Sequence, residues 1–346
     1  TSGAALQVQD DNEQYTTLAV SNQAHIGINF TSAELTMQLD DFAERVLKPR
    51  ISQLASYVDA DVASSFKNIY QSVGTPGTTP ATSLVLLQAQ QKLNEAASTM
   101  GDRYAVVNPA ANAGLVEGMK GFFNPTGTIS RQFKSGMMGE GVLGYDEVAM
   151  SQSINTFTTG SRSLTDTILV NGAVSTQGAT TISIDGGTGS ATVVVGDVFT
   201  IANVYAVNPQ TRQSTGSLQQ FVVTAANTAS GGAWTSIAVS PAMYTSAHAL
   251  ATINAFPADN AAVTFLGTAS TVYPQNLAFQ KNAITFATAD LLLPQGVDMA
   301  SRQVHNGISL RIVRQYDINN DRMPCRLDVL YGYSAIRPSM ATRIWG

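Results

Sequence analysis

Residues 308–333 read ISLRIVRQYDINNDRMPCRLDVLYGY, and they decide the fold of the C-terminal part. On each side of a polar centre, apolar side chains alternate with polar ones, as in a half-buried strand. The centre holds Asp and Asn residues, whose short side chains bond their own backbone in turns. The segment therefore predicts an antiparallel hairpin. Its inward positions are Ile308, Leu310 and Ile312 before the centre, and Cys325, Leu327, Val329 and Tyr331 after it.

The same polar centre has the spacing of a calcium loop. Arg322, however, stands where such a loop requires glycine, and Pro324 with strand-type flanks replaces the exiting helix. A plain hairpin turn is the favoured interpretation, and no metal site is expected. The residues at loop positions 1, 3, 5 and 12 are Asp317, Asn319, Asp321 and Asp328.

Residues 51–73 have the most regular helical spacing in the chain and predict six turns of helix, ended by Gly74. Such a stripe suits either a coiled-coil seam or one long helix packed along a sheet, and the second is favoured. Pro49 separates this helix from an earlier one, which the capping pair Thr31 and Glu34 begins. The stripe consists of Ile51, Leu54, Val58, Val62, Phe66, Ile69 and Val73.

Shorter patterns fill the rest of the flanking chain. Alternation predicts a strand within residues 15–30, and a buried strand is expected at 104–107. Helical spacing predicts helices ending at Gly101 and spanning 110–119. The glycine-rich residues 121–160 are expected to form loops and hairpins.

Residues 163–270 differ from both flanks in composition. They contain 5 of the chain's 43 charged residues, whereas the other 238 residues contain 38. Short β-type runs alternate with turn clusters such as Asp185-Gly186-Gly187, a pattern typical of a small barrel or sandwich. The shift in composition predicts an inserted all-β domain.

The overall composition excludes several classes of protein. Of 346 residues, 12% are charged, about half the usual ~25%. Because 44% are hydrophobic, the chain has enough apolar side chains to form a core and is not expected to be disordered. A net charge of −5 argues against a dedicated nucleic-acid binder. The longest apolar runs are too short for a membrane span, and the single Cys325 excludes internal disulfides.

Motifs that would indicate an enzyme occur only in the wrong context. Residues 139–144 read GEGVLG and match the dinucleotide fingerprint, but no clear strand precedes them and no helix pattern follows. Residues 64–67 match S-x-x-K without its partner motifs. The three histidines, His25, His248 and His305, lie outside any metal or catalytic motif. No catalytic, cofactor-binding or metal-binding residue is therefore expected.

Several of these segments resemble the major coat proteins of short-tailed double-stranded-DNA bacteriophages. Residues 309–312, 326–333 and 337–338 resemble that family's closing strands, and residues 276–288 the strand and helix entry before them. Residues 31–73 are similar to its spine helix and 15–30 to the second strand of its E-loop. The sequences Gly196-Asp197-Val198-Phe199 and Ala206-Val207-Asn208-Pro209 are similar to the start of an extra β-barrel that a subset of the family carries.

The resemblance implies an α+β tailed-phage capsid (Johnson) fold, with an E-loop, a peripheral domain with a long spine helix, an axial domain and an all-β barrel insertion. The chain begins inside the would-be E-loop, so the family's N-terminal arm and first E-loop strand are expected to be missing. The implied domains are 1–30 (partial E-loop), 31–100 (peripheral), 101–162 (axial, first part), 163–270 (inserted barrel), 271–300 (axial return) and 301–346 (peripheral closing strands).

The function implied is that of a major capsid protein, which self-assembles into pentamers and hexamers of an icosahedral head around double-stranded DNA. The expected partners are copies of itself and scaffolding and portal proteins, with no membrane and no cofactor, in a virion assembled in the host cytoplasm. A carbohydrate-binding or adhesin-like phage protein is the alternative. Residues 1–70 carry net charge −5 and residues 271–346 net +3, so complementary ends could steer one copy onto another. The expected contact residues are Asp10, Asp11, Glu13, Arg311 and Arg314.

Overall fold

The computed structural model describes residues 15–31, 47–119, 135–162 and 167–346. These ranges contain the helices α1 (Lys48–Ala63), α2 (Ser83–Glu95) and α3 (Pro109–Gly118), with 3-10 turns at Ser64–Asn68 and Pro338–Met340. The first half of the strands is β1 (Asn22–Ile28), β2 (Ser72–Val73), β3 (Arg103–Val107), β4 (Gly139–Val142), β5 (Tyr145–Met150), β6 (Thr156–Thr158), β7 (Leu169–Val170), β8 (Ala179–Asp185), β9 (Thr192–Val193) and β10 (Val198–Val207). The second half is β11 (Ser214–Val223), β12 (Asn227–Thr228), β13 (Trp234–Met243), β14 (Val263–Phe265), β15 (Val272–Gln280), β16 (Thr285–Ala289), β17 (Met299–His305), β18 (Ile308–Arg314), β19 (Cys325–Ser334) and β20 (Ala341–Trp345).

The helix expected over residues 51–73 is shorter in the structure. It begins near Pro49, where a missing N–H costs little in the first turn, and after Ala63 it tightens into the 3-10 turn. Ile69 is already extended (φ −94°, ψ 120°), and Val73 pairs in parallel with Ile344 of β20. The last part of the prediction was wrong because the chain is extended from Ile69 onward and Val73 is part of a strand. The earlier predicted helix, with Glu34, lies outside the described residues.

A five-stranded antiparallel sheet confirms the C-terminal hairpin. Its order is β1-β19-β18-β17, and β16 pairs with the second half of β19 on the side of β18. One face packs on α1, where Leu54 is the buried helix residue. The strand predicted within residues 15–30 is confirmed as β1, which runs antiparallel to β19.

Tyr331 and Tyr333 of β19 fasten the five-stranded sheet to α1. Their hydroxyl groups donate to the Asp61 carboxylate, at 2.6 and 3.0 Å. These two bonds join positions about 270 residues apart in sequence.

A seven-stranded mixed sheet has the order β2-β20-β15-β3-β5-β4, with β6 beside the first half of β15. The C-terminal strand β20 therefore lies inside this sheet, between β2 and β15. Its core includes Leu86, Ala89 and Leu93 of α2 and Ala111 and Leu115 of α3. The predicted strand at 104–107 and helix at 110–119 are confirmed as β3 and α3.

The segment expected to enter a helix near residues 280–288 instead forms a second strand. The chain turns after β15, where Ala283 N–H donates to the Gln280 carbonyl at 2.8 Å. β16 then pairs with β19, placing Phe286 opposite Tyr333. The helix entry implied by the resemblance is therefore replaced by a strand that pairs with β19.

A six-stranded sheet formed by residues 169–265 confirms the all-β insertion. Its order is β14-β10-β11-β13-β8-β7. The two ends of this order nearly close on each other, since Val263 N–H donates to the Ile168 carbonyl and Val170 N–H to the Ala261 carbonyl, both at 2.9 Å. Its core is separate from those of the other two sheets and includes the fully buried Trp234. The result is a barrel-like domain inserted between the body strands β6 and β15.

The domain ranges given above stay predictions, and strand pairing in the body crosses them. β16 lies in the range expected to return to the axial domain, yet it pairs with β19 of the closing range. β20 lies in the closing range, yet it pairs with β15.

Candidate functional site

The junction between barrel and body is built around Arg343 of β20, which is fully buried. Its Nη1 donates to the Gly196 carbonyl of the barrel at 2.6 Å, and its Nε donates to Gln275 Oε1 at 2.8 Å. The guanidinium stacks within 5.1 Å of the ring centres of Phe66, Phe157 and Trp345. Burial lowers the pKa of Arg343 to about 9, although the charge of nearby Asp197 acts to raise it. At neutral pH this side chain is therefore a buried cation.

A second buried arginine, Arg162, stands where the chain enters the barrel. Its Nη1 contacts Asp197 Oδ1 at 2.5 Å, with both side chains inaccessible to solvent, and its Nη2 donates to the Leu266 carbonyl at 2.7 Å where the chain leaves the barrel. Burial raises the pKa of Asp197, while Arg162 and the backbone N–H groups of Val194 and Gly160 lower it. The Arg162 guanidinium thus joins the entry of the barrel, its exit at Leu266 and the Asp197 carboxylate.

Two glycines let the backbone approach this cluster. Gly196 has φ +99°, and a Cβ there would meet Phe157 at 3.1 Å and Lys67 at 3.3 Å. A Cβ on Gly160 would lie 2.2 Å from the Thr192 carbonyl oxygen. Side chains at these positions would push barrel and body apart, so the junction depends on glycine.

A cavity of about 420 Å³ lies beside the junction, between barrel and body. Its walls come from α2, from the 3-10 turn before β20 and from barrel residues such as Leu218, Tyr244 and Leu250. It is open to solvent and mainly apolar, and nothing in it marks a reactive centre.

The predicted contact residue Arg311 is engaged within its own sheet. Arg302, Arg311, Asp328 and His25 are successive cross-strand neighbours from β17 to β1. Asp328 is fully buried and accepts from Arg311 Nη2 at 2.6 Å and Arg326 Nε at 2.5 Å. Burial acts to raise the pKa of Asp328, but the hydrogen bonds and charges of both arginines outweigh it and hold the pKa below its ordinary value.

The predicted contact residue Arg314 is more accessible. It pairs with Asp298 at 2.9 Å, and the two side chains are 33% and 41% exposed. The other predicted contact residues, Asp10, Asp11 and Glu13, lie outside the described residues. A contact between these acidic residues and the two arginines therefore stays a prediction.

Strand β17 forms an open edge of the five-stranded sheet. In the described part of the chain, no strand pairs with its outer side, and most of its residues are exposed. Val304 is 56% exposed, and Ile308 across the turn is 46% exposed. An accessible, partly apolar edge is the kind of surface that another polypeptide strand can occupy.

The sequences that match the dinucleotide, S-x-x-K and calcium-loop motifs lie in ordinary hairpins and turns. The GEGVLG sequence forms the β4–β5 hairpin, and Ser64–Lys67 lies in the 3-10 turn after α1. In the Asp317–Asn320 turn, Asp317 accepts from Asn319 N–H and Asn320 Nδ2. Among the described residues, no group of three or more His, Cys, Asp or Glu side chains could hold a metal ion. None of the helices in the described ranges is long and apolar enough to cross a bilayer.

The sequence did not point to the junction residues Arg162, Asp197 and Arg343. The sequence does contain a signal for two of them, a charge among uncharged neighbours. Asp197 is one of the few charged residues of the barrel segment, and Arg343 stands between Thr342 and Ile344, near a tryptophan. A lone charge within a run of strand-forming residues indicates a buried, paired group. The partners of Asp197 and Arg343 are distant in sequence, so the sequence alone did not predict them.

Comparison with known proteins identifies the family of this chain. A family model described as "P22 coat protein - gene protein 5" matches residues 13–346. The chain belongs to this family. It is a major capsid protein, a structural subunit of a phage virion. A search of the curated proteins found no match.

Solved structures give weaker likenesses. A chain of Mycobacterium phage Che8 is similar over 94% of this chain and 71% of its own, with 9% identity and a TM-score of 0.45. A chain in the capsid structure of the cyanophage P-SCSP1u is similar over 99% of this chain and 80% of its own, with 11% identity and a TM-score of 0.45. The CUS-3 coat protein I-domain is 28% identical over 30% of this chain and 96% of its own, with a TM-score of 0.23. The family assignment rests on the family model.

Proposed function

We propose that copies of this chain form pentamers and hexamers that close an icosahedral head around double-stranded DNA. Membership of a coat-protein family over residues 13–346 carries this proposal. A ring of identical subunits needs two different, complementary surfaces on each copy. The acidic first 70 residues and the basic last 76 supply opposite charges for such a contact.

We propose further that assembly takes place in the host cytoplasm with scaffolding and portal proteins as partners. DNA is enclosed without sequence recognition, which suits a chain of net charge −5 that does not bind phosphates tightly. The domain ranges given above and the contacts of Asp10, Asp11 and Glu13 with Arg314 and Arg311 belong to the same proposal. Arg314 is the better candidate of the two arginines, because its side chain is more exposed than that of Arg311.

The alternative of a carbohydrate-binding protein is not favoured. Sugar sites commonly present an exposed aromatic ring, but Trp234, the one tryptophan of the barrel, is fully buried. Its Nε1 donates to the Ala191 carbonyl at 3.0 Å, so the ring is held in the barrel core.

Electron microscopy and sedimentation of the purified chain test the proposed function. Rings or shells are expected, and a chain that stays monomeric under all assembly conditions, with or without partners, would refute it. The contact itself is tested by Asp10→Lys with Asp11→Lys, which should weaken assembly but leave the helix signal unchanged. Glu140→Lys with Glu147→Lys is the matched control, since it makes the same charge change at two exposed, paired positions of the β4–β5 hairpin.

A further inference from the structure

We propose that the open edge of β17 is a docking site for a strand of a second copy of this chain, which extends the five-stranded sheet across a subunit boundary. The inference rests on the proposed function and names one surface through which the copies meet. It depends on the geometry of the β17–β18 hairpin, on the unpaired outer side of β17 among the described residues, and on charge.

The turn of the hairpin determines which backbone groups of β17 face outward. His305 pairs with Ile308 across the two-residue turn Asn306-Gly307, where both φ angles are positive, +50° and +78°. This is a type I′ turn, and the pair that flanks it exchanges both backbone hydrogen bonds. Hydrogen-bonded and non-hydrogen-bonded pairs then alternate along the ladder. The N–H and C=O groups of Val304, Arg302 and Ala300 therefore point away from β18.

These three residues present a regular row of donors and acceptors on the open side. The ladder from Met299–Arg314 to His305–Ile308 has no register shift, so the edge is straight over seven residues. A strand of about six residues could pair with it by main-chain hydrogen bonds alone.

Monomeric proteins usually protect such an edge with lysine, proline, a bulge or a covering element. Residues 299–305 contain neither lysine nor proline, and their ladder has no bulge. The one formal charge on the strand, Arg302, is paired with Asp290 at 3.3 Å. Val304 adds an apolar side chain that is 56% exposed. An edge of this kind is an aggregation liability for a free monomer, and pairing with another subunit removes that liability.

Charge favours a second copy as the occupant. The edge belongs to the C-terminal part of the chain, residues 271–346, which carries net charge +3, and Arg314 beside it is partly exposed and paired with Asp298. The acidic residues are concentrated in the first 70 positions, so the N-terminal part of another copy matches this surface. Such a contact is head-to-tail, as ring closure requires.

The substitution Val304→Pro tests the edge in the full-length chain. Proline removes the outward N–H group of residue 304 but no hydrogen bond of the β17–β18 ladder, and proline is tolerated on edge strands. The control Val304→Thr keeps the N–H group and the branched side chain. We expect Val304→Pro to melt close to the wild type but to assemble about tenfold more weakly, the effect of about one lost hydrogen bond per contact. Normal assembly of Val304→Pro would overturn the proposal.

Hydrogen exchange of the wild-type chain gives a second test that needs no substitution. Before assembly the amides of Ala300, Arg302 and Val304 should exchange quickly, and after assembly they should be protected about a hundredfold or more. Fast exchange of all three amides in the assembled shell would overturn the proposal, even if Val304→Pro failed to fold. Failure of the wild-type chain to assemble at all would instead count against the proposed function.

Discussion

Arg343, on the C-terminal strand, donates a 2.6 Å hydrogen bond from Nη1 to the carbonyl oxygen of Gly196 at the base of the barrel. The two residues are 147 positions apart in sequence. Because β20 also lies between β2 and β15, the same strand completes the body sheet and holds the inserted domain. Docking of the barrel therefore depends on the last residues of the chain.

The charges in this junction make Asp197 its most sensitive residue. It is the carboxylate partner of Arg162, and its charge also favours the charged form of Arg343. Asp197→Asn would leave two buried guanidinium groups without a counter-charge. Breaking a buried pair in this way costs about 3–5 kcal/mol. We expect a loss of that size in the free energy of unfolding, measured by urea denaturation.

Two further variants show whether the stability loss of Asp197→Asn comes from the ion pair. Asp185→Asn is the matched control, because Asp185 lies at the end of β8, opposite Leu169 of β7, and is not part of the Arg162–Asp197 pair. It should change stability by less than about 0.5 kcal/mol. The double variant Asp197→Asn with Arg162→Met removes both charges of the pair and should lose less than Asp197→Asn alone. Equal losses for Asp197→Asn and Asp185→Asn would show that the ion pair does not hold the junction.

The barrel should fold as a separate fragment, since its core is formed by its own residues. The fragment 159–270 retains Arg162 and Gly160, which both bond Asp197, whereas 163–270 lacks them. We expect both fragments to melt cooperatively and the longer one to be more stable by about 2 kcal/mol. Circular dichroism during thermal and urea unfolding measures this difference. A disordered longer fragment would contradict an independently folding barrel.

Local sequence patterns predicted the parts of the fold that local physics determines. The alternation of apolar and polar residues in 308–333 predicted the hairpin. The small number of charged residues in 163–270 predicted the inserted β domain. In each case the residues that make the pattern also make the contacts, as Leu310 and Val329 do across the β18–β19 ladder.

The sequence could not predict features that distant partners decide. Ile69 and Val73 continue a helical stripe, yet Val73 pairs with Ile344 of β20, a strand far away along the chain. Arg343 and Asp197 looked like isolated charges because their partners lie far away along the chain. Arg311 was predicted only as a subunit contact, which stays a prediction. Its bond to Asp328 depends on the register of β18 and β19.

Asp328 should make stability depend on pH in the acid range. Its pKa in the folded chain lies below the ordinary value, because the hydrogen bonds and charges of Arg311 and Arg326 outweigh the effect of burial. A carboxylate with a lowered pKa contributes stability above its unfolded pKa of about 3.9, and this contribution is lost as the pH falls through the folded value. We expect Asp328→Asn to be less stable than the wild type by roughly 2 kcal/mol at pH 7. The difference should shrink below about pH 4, where the wild-type carboxylate becomes protonated.

Urea denaturation of unassembled wild-type and variant chains between neutral and acid pH measures this difference. Asp298→Asn is the control, because its pair with Arg314 is partly exposed to solvent and should contribute under about 1 kcal/mol at any pH. A stability difference for Asp328→Asn that stayed constant down to the lowest pH would mean that its charge does not hold the two arginines. In that case the cross-strand row from Arg302 to His25 would be held by the backbone ladder alone.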